Sequence, residues 1–439
     1  MADTPAAALH PSVAHRRRPL ARATAERSRW AGEGHRLAVI AAGVAVATMP
    51  LVRPHGPGNS SAIIDLQILL ALVATLLWAA ASGRPLHLPY ALATAVTVLA
   101  GALSSVANDH AQQGLIALFQ DAVLLAWAAA IANLARTPAA LRLLLVAWAV
   151  SAIAAAGFLD VAYLSGHQAL AGVAATEGTR AALAFDDPNM AASYFVASLM
   201  VILAVKVPRN PLLRALSTLL LLVAILFTGS NGGIATLAVC VAIIFVVAVR
   251  RRHGLVPAAG AIVVLLAAGT LVALVFNLAA LQLMAQESSI PLVRQSVGRS
   301  AQSAHERSLL IGEAAALYQA NVLFGIGTNA YKETLAHDQA PYVHEAHDDY
   351  VAAIVETGVL GAIGLLLLIG AVGVRTLAVV RGRLKPGFAA VVPSVLPLAA
   401  AVAGVAVSAG FYQVLHFRHV WLMFGIVAGL YLWGREKSS

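Results

Sequence analysis

Twelve stretches of the chain are apolar with few interruptions: 37–52, 62–82, 89–107, 114–134, 140–164, 188–206, 211–228, 231–249, 255–281, 350–374, 387–411 and 419–434. A helix that spans a bilayer takes about 20 such residues, so the pattern predicts twelve membrane-spanning helices. The first stretch is short. The polar leader before it, residues 1–36, is longer than the basic segment of a secretory signal, which makes the first span a retained anchor. The leader is rich in Ala, Arg and Pro and reads as disordered.

Most connections between the stretches are short, but 165–187 and 282–346 are long. Long connections tend to be functional or disordered, and the second carries helical patterning. Ser303 and Glu306 read as a capping box, and Leu310, Ala314 and Leu317 follow at helical spacing. Gly325 and Gly327 then interrupt, and 329–337 predicts another short helix. The expected organisation is a basic leader at 1–36, nine spans over 37–281, a large helical loop over 282–346, three spans over 347–434 and a tail at 435–439.

Composition narrows the class. Of 439 residues, 60% are hydrophobic and 11% charged, where a soluble domain carries about 25% charged residues. A soluble enzyme, a DNA-binding domain and a disordered chain are excluded. The single cysteine, Cys240, sits within an apolar run and leaves no disulfide framework. The net charge of +9 is distributed by topology. With the N-terminus inside, 22 of the 29 Lys and Arg residues fall on inner segments, as the positive-inside rule expects. The outer side keeps Arg53, Arg180, Arg294, Arg299, Arg307, Lys332 and Arg418, and carries more acids than bases. An anion held on that side needs specific arginines, and nucleic acid is not implied.

Three outer-face clusters carry candidate chemistry. Arg180 lies shortly before Asp187, Pro188 and Asn189, where Asp187 can cap a helix and Pro188 suits its first turn. This arginine reads either as a lipid-phosphate contact at the surface or as an anion ligand near a helix start. Arg307 opens the helix of the long loop, after His305 and Glu306, and reads as a paired surface charge or as a second anion ligand. The densest cluster, 342–350, holds His344 and His347, three apart and so on one face of a helix. A zinc site, a helix-capping cluster and a histidine acting as general base all remain open there. The zinc pattern His-Glu-x-x-His is one residue longer than the His-Glu-Ala-His present.

Asp121, Asp160 and Glu356 lie inside spans and Asp65 near the outer end of the second; with no intramembrane Lys or Arg beside them, they give poor support to a proton-driven pump. Glu356 reads as structural, among glycines 358, 361 and 364 that let helices approach. The first outer loop, 53–61, has a base and no acid, so a phosphorylated lipid would be handled by arginines rather than by a divalent metal.

Taken together, these residues resemble the O-antigen ligase and O-antigen polymerase superfamily. Gly178, Thr179 and Arg180 leading to Pro188 and Asn189 are similar to its Arg followed by a Pro-Asn helix start. Arg307 through Gly325 and Gly327 is similar to its loop helix with a Gly-x-Gly end. His347, Asp348, Asp349 and Tyr350, continuing to Glu356, Gly358 and Gly361, resemble its His-Asn-x-Tyr and Glu-x-Gly-x-x-Gly motifs. The chain departs from the family at Asn231, where an Arg often follows Thr-Gly-Ser, and at Asp348, where Asn is usual.

The resemblance implies an all-α polytopic membrane protein of about twelve transmembrane helices with a helical periplasmic cap, glycosyltransferase C-like. It implies a multi-pass protein of the bacterial inner membrane with both termini cytoplasmic and the site facing the periplasm. The implied reaction is metal-independent, inverting transfer of a glycan from undecaprenyl pyrophosphate to a lipid A-core hydroxyl, with no cofactor. The alternative is a polymerase using a second lipid-linked glycan as acceptor; more distant readings are a lipid or sugar transporter and a membrane metalloprotease. On this reading His347 is the general base and Arg180 and Arg307 clamp the pyrophosphate. Arg53, Arg418, His344 and Tyr350 are secondary candidates.

Overall fold

A computed structural model describes residues 17–51, 63–108, 111–173, 178–185, 187–275, 278–298, 300–338, 340, 343 and 346–436; within helices, the side chains of 17–31, 111–113, 272–275, 278–281, 295, 300–304, 306 and 307 lie outside that description. In chain order the helices are α1 (Arg17–Ala47), α2 (Ile63–Ser82), α3 (Ala91–Ala107), α4 (Ala111–Leu134), α5 (Pro138–Leu164), α6 (Pro188–Val205), α7 (Pro211–Phe227), α8 (Asn231–His253) and α9 (Leu255–Val275). Three cap helices follow, α10 (Leu278–Gln286), α11 (Pro291–Ser296) and α12 (Ser300–Ala320), with a short fourth, α13 (Tyr331–His337). The chain then returns through α14 (Asp349–Arg381), α15 (Pro386–Val391), α16 (Leu396–Ser408) and α17 (Arg418–Gly429), which ends in a π-helical turn, Leu430–Gly434. Helix occupies every predicted apolar stretch, and the protein is an all-α polytopic membrane protein. Six helices among the described residues are long and apolar enough to cross a membrane; α3, α7, the described part of α9 and α16 are shorter apolar helices.

Local chemistry sets many of the boundaries. Thr137, Asp187, Asn210 and Ser230 cap α5, α6, α7 and α8 through side-chain oxygens, and Pro occupies the first turn of the first three. The eleventh stretch is split: α15 and α16 are separated by residues 392–395, which contain Pro393. The described leader is not disordered, since α1 begins at Arg17. Ala- and Arg-rich sequence favours helix, and a preformed apolar span removes the nucleation cost.

Small residues bring the helices together. A Cβ on Gly425 of α17 would lie 2.7 Å from the Ala128 carbonyl oxygen of α4, and one on Gly404 of α16 would lie 2.7 Å from Cys240 Sγ of α8. Buried polar side chains find partners across helices, as where Trp148 Nε1 donates to Ser198 Oγ at 2.8 Å. Outward Leu66, Leu69, Leu70, Val73, Leu76 and Leu77 of α2 are exposed, the lipid-facing complement of that core.

The cap has a small core of its own, in which Leu310, Ala314, Ile326, Tyr331 and Leu335 pack with Val355 of α14. The predicted helical spacing of Leu310 and Ala314 is thus used. The predicted start is not: α12 begins at Ser300, so Ser303 does not cap it and Arg307 lies inside the helix rather than opening it. The cap docks where α14 is broken at Gly358 (φ 65°, ψ −162°). There Ile326 N and Gly327 N donate to the carbonyls of Val355 and Glu356, and Val359 N donates to Val322 O, at 3.0–3.1 Å. Ser104 Oγ and Asn108 Nδ2 of the α3 end donate to Glu356 O and Gly325 O.

Candidate functional site

The site is built at the cap end of the bundle, around the turn that precedes α14. Each residue after His347 has a positioning task. Asp348 is the N-cap of α14, its Oδ1 accepting from Tyr350 N at 2.8 Å and Val351 N at 3.0 Å. Asn caps helices as well as Asp does, so the departure from the family pattern at this position keeps the local geometry. Asp349 is buried, and its Oδ2 accepts from Val414 N and Leu415 N at 2.8 and 3.2 Å. Tyr350 Oη donates to Ala406 O of α16 at 2.6 Å.

His347 is therefore held in a turn and not on a helix, with φ 50°. The shared helical face with His344 is not formed by His347, and His344 itself lies outside the described residues. A left-handed backbone is uncommon for a residue other than glycine, and it persists where the surroundings enforce it. The half-buried imidazole lies against Tyr412, ring centroids 5.3 Å apart and 30° from coplanar.

Tyr412 links this turn to the second cluster. Its hydroxyl donates to Asp187 Oδ2 at 2.8 Å, while Asp187 Oδ1 accepts from Asn189 N and Met190 N as the cap of α6. Two residues on, Asn189 Oδ1 accepts from Arg180 Nη2 at 3.1 Å and from Ser230 Oγ at 2.8 Å. Arg180 Nε donates to Thr228 O at 3.0 Å. His347, Tyr412, Asp187, Asn189 and Arg180 thus form one continuous set of contacts across four chain segments.

Arg180 is almost completely buried, with 3% of its surface exposed. Of the two readings of Arg180, the exposed lipid-phosphate contact does not fit this burial; the fold aims the side chain at the 228–230 turn. That turn needs its glycine, since Gly229 has φ 56° and a Cβ there would stand 3.1 Å from Arg180 Cγ. Asn231, where the family often has arginine, donates from Nδ2 to Ser296 O at 3.3 Å and ties the turn to α11.

The remaining candidates separate. Arg418 is committed to Asp65, with Nε and Nη2 donating to the two carboxylate oxygens at 2.6 and 2.7 Å. Its two-pronged carboxylate pair already engages the face of the guanidinium that a pyrophosphate would use. The backbone of Arg307 lies in α12, its side chain is outside the described residues, and Arg53 lies wholly outside them. Among the described residues no three His, Cys, Asp or Glu side chains are placed to hold a metal ion.

Two cavities flank the turn, and His347 lines neither. One, of about 130 Å³, has mainly apolar walls with Asp121, Asp349, Glu356, His416, Asn329 and Thr94 set among them. Glu356, read from sequence as structural, lines this cavity and ties the cap to α14, its Oε2 accepting from Asn329 N at 2.9 Å. The other, of about 560 Å³, is an apolar groove between α14 and α16 that is lined at the cap end by Tyr350 and Ala409 and farther along by Ile369, Gly373, Leu377 and Leu396. Sequence reasoning missed Tyr412 and His416. The available signal was a short connection, 409–417, with three aromatics and a histidine between two apolar spans.

Comparison with known proteins bears on this geometry. The family model described as O-antigen ligase matches residues 216–366, about a third of the chain and inclusive of the 228–231 turn, the cap and the first half of α14. That match supports the O-antigen ligase superfamily. No curated protein matches the chain.

Proposed function

From the premise that residues 216–366 carry an O-antigen ligase domain, a domain of ligase- or polymerase-type glycosyl transfer, we propose that the protein transfers a glycan from undecaprenyl pyrophosphate to a sugar hydroxyl of lipid A-core. The reaction takes place at the periplasmic face of the bacterial inner membrane, with both termini in the cytoplasm. The observation that carries the reading is the chain of contacts from His347 through Tyr412 and Asp187 to Asn189 and Arg180. It joins a base to an arginine at the end of the bundle that bears the cap.

In the reaction the acceptor hydroxyl gives its proton to the His347 imidazole as its oxygen attacks the anomeric carbon. The anomeric C–O bond to the pyrophosphate breaks, and the electron pair leaves with undecaprenyl pyrophosphate. One displacement inverts the anomeric centre. Negative charge grows on the leaving group, and a preorganised donor aimed at such charge contributes about 3–4 kcal/mol. Arg180 and Arg307 are assigned that role. Arg180 acts from a buried, fixed position, with Thr228 and Asn189 holding its fork. No step is routed through a metal, because arginines supply the positive charge. The apolar groove along α14 and α16, with Tyr350 at one end, suits the polyprenyl chain, and the few hydroxyls and carboxylates set in the smaller cavity could accept sugar hydroxyls.

The transporter reading asks for helices broken near mid-membrane. The break in α14 lies nine residues from its start and is filled by backbone of the cap, and the α15–α16 break is near the opposite end, so both act as docking points. The test is transfer by purified protein with one lipid-linked donor and two acceptors, lipid A-core and a second lipid-linked glycan. Wild type is expected to glycosylate lipid A-core in the presence of EDTA, and His347→Ala to lose transfer while keeping its fold. Activity in His347→Ala, or EDTA inhibition rescued by zinc, overturns the mechanism; preference for the second lipid-linked glycan makes the protein a polymerase.

A further inference from the structure

The end of the bundle opposite the cap gathers arginines that the proposed reaction does not use. Three of their guanidinium groups lie on aromatic faces. Arg136 stands between Trp78 and Trp433, 5.4 and 4.9 Å from the ring centroids. Arg375 stands between Tyr90 and Tyr431, at 5.2 and 5.6 Å, and Arg435 stands 5.1 Å from Tyr431. The rings are themselves anchored: Trp433 Nε1 donates to Ala132 O at 2.8 Å, and Tyr90 Oη donates to Phe424 O at 2.9 Å. The π-helical turn carries Tyr431 and Trp433, and Arg435 follows it, so Tyr431 is shared by Arg375 and Arg435 while Trp433 serves Arg136.

Among the described residues no carboxylate is paired with Arg84, Arg136, Arg375 or Arg435. The Nε atoms of Arg375 and Arg435 are shut from solvent with no hydrogen-bond acceptor. Burial and the neighbouring Arg84 push the Arg136 guanidinium below its ordinary pKa, the direction expected of a cation short of anions. Arg375 lies six residues inside the end of α14, about 9 Å along the axis. Aromatic faces hold a guanidinium in place but accept few of its hydrogen bonds; Arg375 Nη1 donates to Ala371 O at 2.9 Å, and the two Nε atoms are left over.

We propose that Arg375 and Arg435, which share the Tyr431 ring, form a phosphate site that takes the headgroup of an anionic phospholipid from the leaflet at that end of the bundle. Guanidinium groups engage phosphate oxygens two at a time, and basic clusters between transmembrane helices suit anionic headgroups. The depth of Arg375 favours a lipid over free phosphate. A soluble anion would have to leave water to reach it, whereas a lipid phosphate is already tethered at the boundary. The exposed Val374 and Leu377 beside Arg375 offer the lipid chains an apolar surface.

The experiment is native mass spectrometry of the purified full-length chain in mixed micelles of phosphatidylglycerol or phosphatidylcholine, with a parallel thermal-stability series that includes inorganic phosphate. Wild type is expected to retain phosphatidylglycerol at least tenfold over phosphatidylcholine and to gain stability from it alone. Arg375→Gln with Arg435→Gln should bring retention down to the phosphatidylcholine level, while Arg251→Gln at the end of α8 leaves it unchanged. Should the double variant fail to fold, Arg375→Lys and Arg435→Lys, which keep the charge and lose the fork, should each lower retention several-fold. Equal retention of the two lipids, or retention unaffected by these variants, overturns the site. Equal stabilisation by inorganic phosphate overturns its assignment to lipid.

Discussion

Gly358→Ala probes the joint between cap and membrane domain. The backbone there, φ 65° and ψ −162°, lies in a region essentially reserved for glycine and costs other residues on the order of 1–3 kcal/mol. A Cβ would stand 2.1 Å from Leu323 O, 2.5 Å from its carbonyl carbon and 2.8 Å from Phe324 N. All three are backbone atoms, so no side-chain rotation relieves the clash and the cap turn itself must move. Moving it loosens the bonds from Ile326 N, Gly327 N and Val359 N, each worth about 0.5–1.5 kcal/mol. The combined cost is on the order of 4 kcal/mol. Gly370 is the control in the same helix, because a Cβ there meets nothing within 4 Å and Ala is favoured over Gly by about 1 kcal/mol in a helix interior. At about 2 °C per kcal/mol for a large domain, Gly358→Ala should lower the unfolding midpoint by roughly 8 °C, while Gly370→Ala should match or exceed wild type. The assay is thermal unfolding of the detergent-solubilised chain at one fixed scan rate, with hydrogen exchange read at the amides of Ile326 and Gly327. A Gly358→Ala protein that melts with wild type and keeps those amides protected refutes the docking described above.

Other outcomes follow from the same geometry. Asp348→Asn should retain transfer and stability, because either side chain caps α14, whereas Asp348→Ala should cost about 1 kcal/mol and lower the rate further by freeing the His347 turn; parallel melting and initial-rate measurements separate the two. Tyr412→Phe keeps the ring against His347 and removes the bond to Asp187, so kcat should fall several-fold with donor KM little changed, and an unchanged kcat would remove Tyr412 from the site. Arg418→Ala removes the two-pronged pair with Asp65 and should destabilise by about 1–2 kcal/mol, discounted for partial exposure of the pair; adding Asp65→Ala should recover part of that loss in a double-mutant cycle.

Membrane character and helix locations were legible in the sequence because they follow from composition and from caps that act within a few residues. Asp187 and Pro188 start α6 as read, and Leu310 and Ala314 face a core as read. Where the reading failed, a longer-range term won. Ser303 had the residues for a capping box, yet the helix runs past it, since local signals compete with continuation of the helix. His344 and His347 had helical spacing, but Asp348 captures the first amides of α14 and leaves His347 in the turn before it.

The sequence by itself determined what each residue could do: a buried carboxylate, a fork of donors, an imidazole able to take a proton. Only the tertiary structure decided which of them meet. Arg418 and Arg180 look alike as outer-face arginines. Yet Arg418 is spent on Asp65, 353 positions away in the chain, while Arg180 is fixed on Thr228 and Asn189 and joined to His347 through Tyr412. Pairing across such separations depends on how helices pack, which is set by the summed burial of many small side chains and leaves no signal at any one position. The same holds at the opposite end, where the positive-inside bias accounts for the presence of arginines, but only the packing of α14 against the end of α17 brings Arg375 and Arg435 onto the one Tyr431 ring.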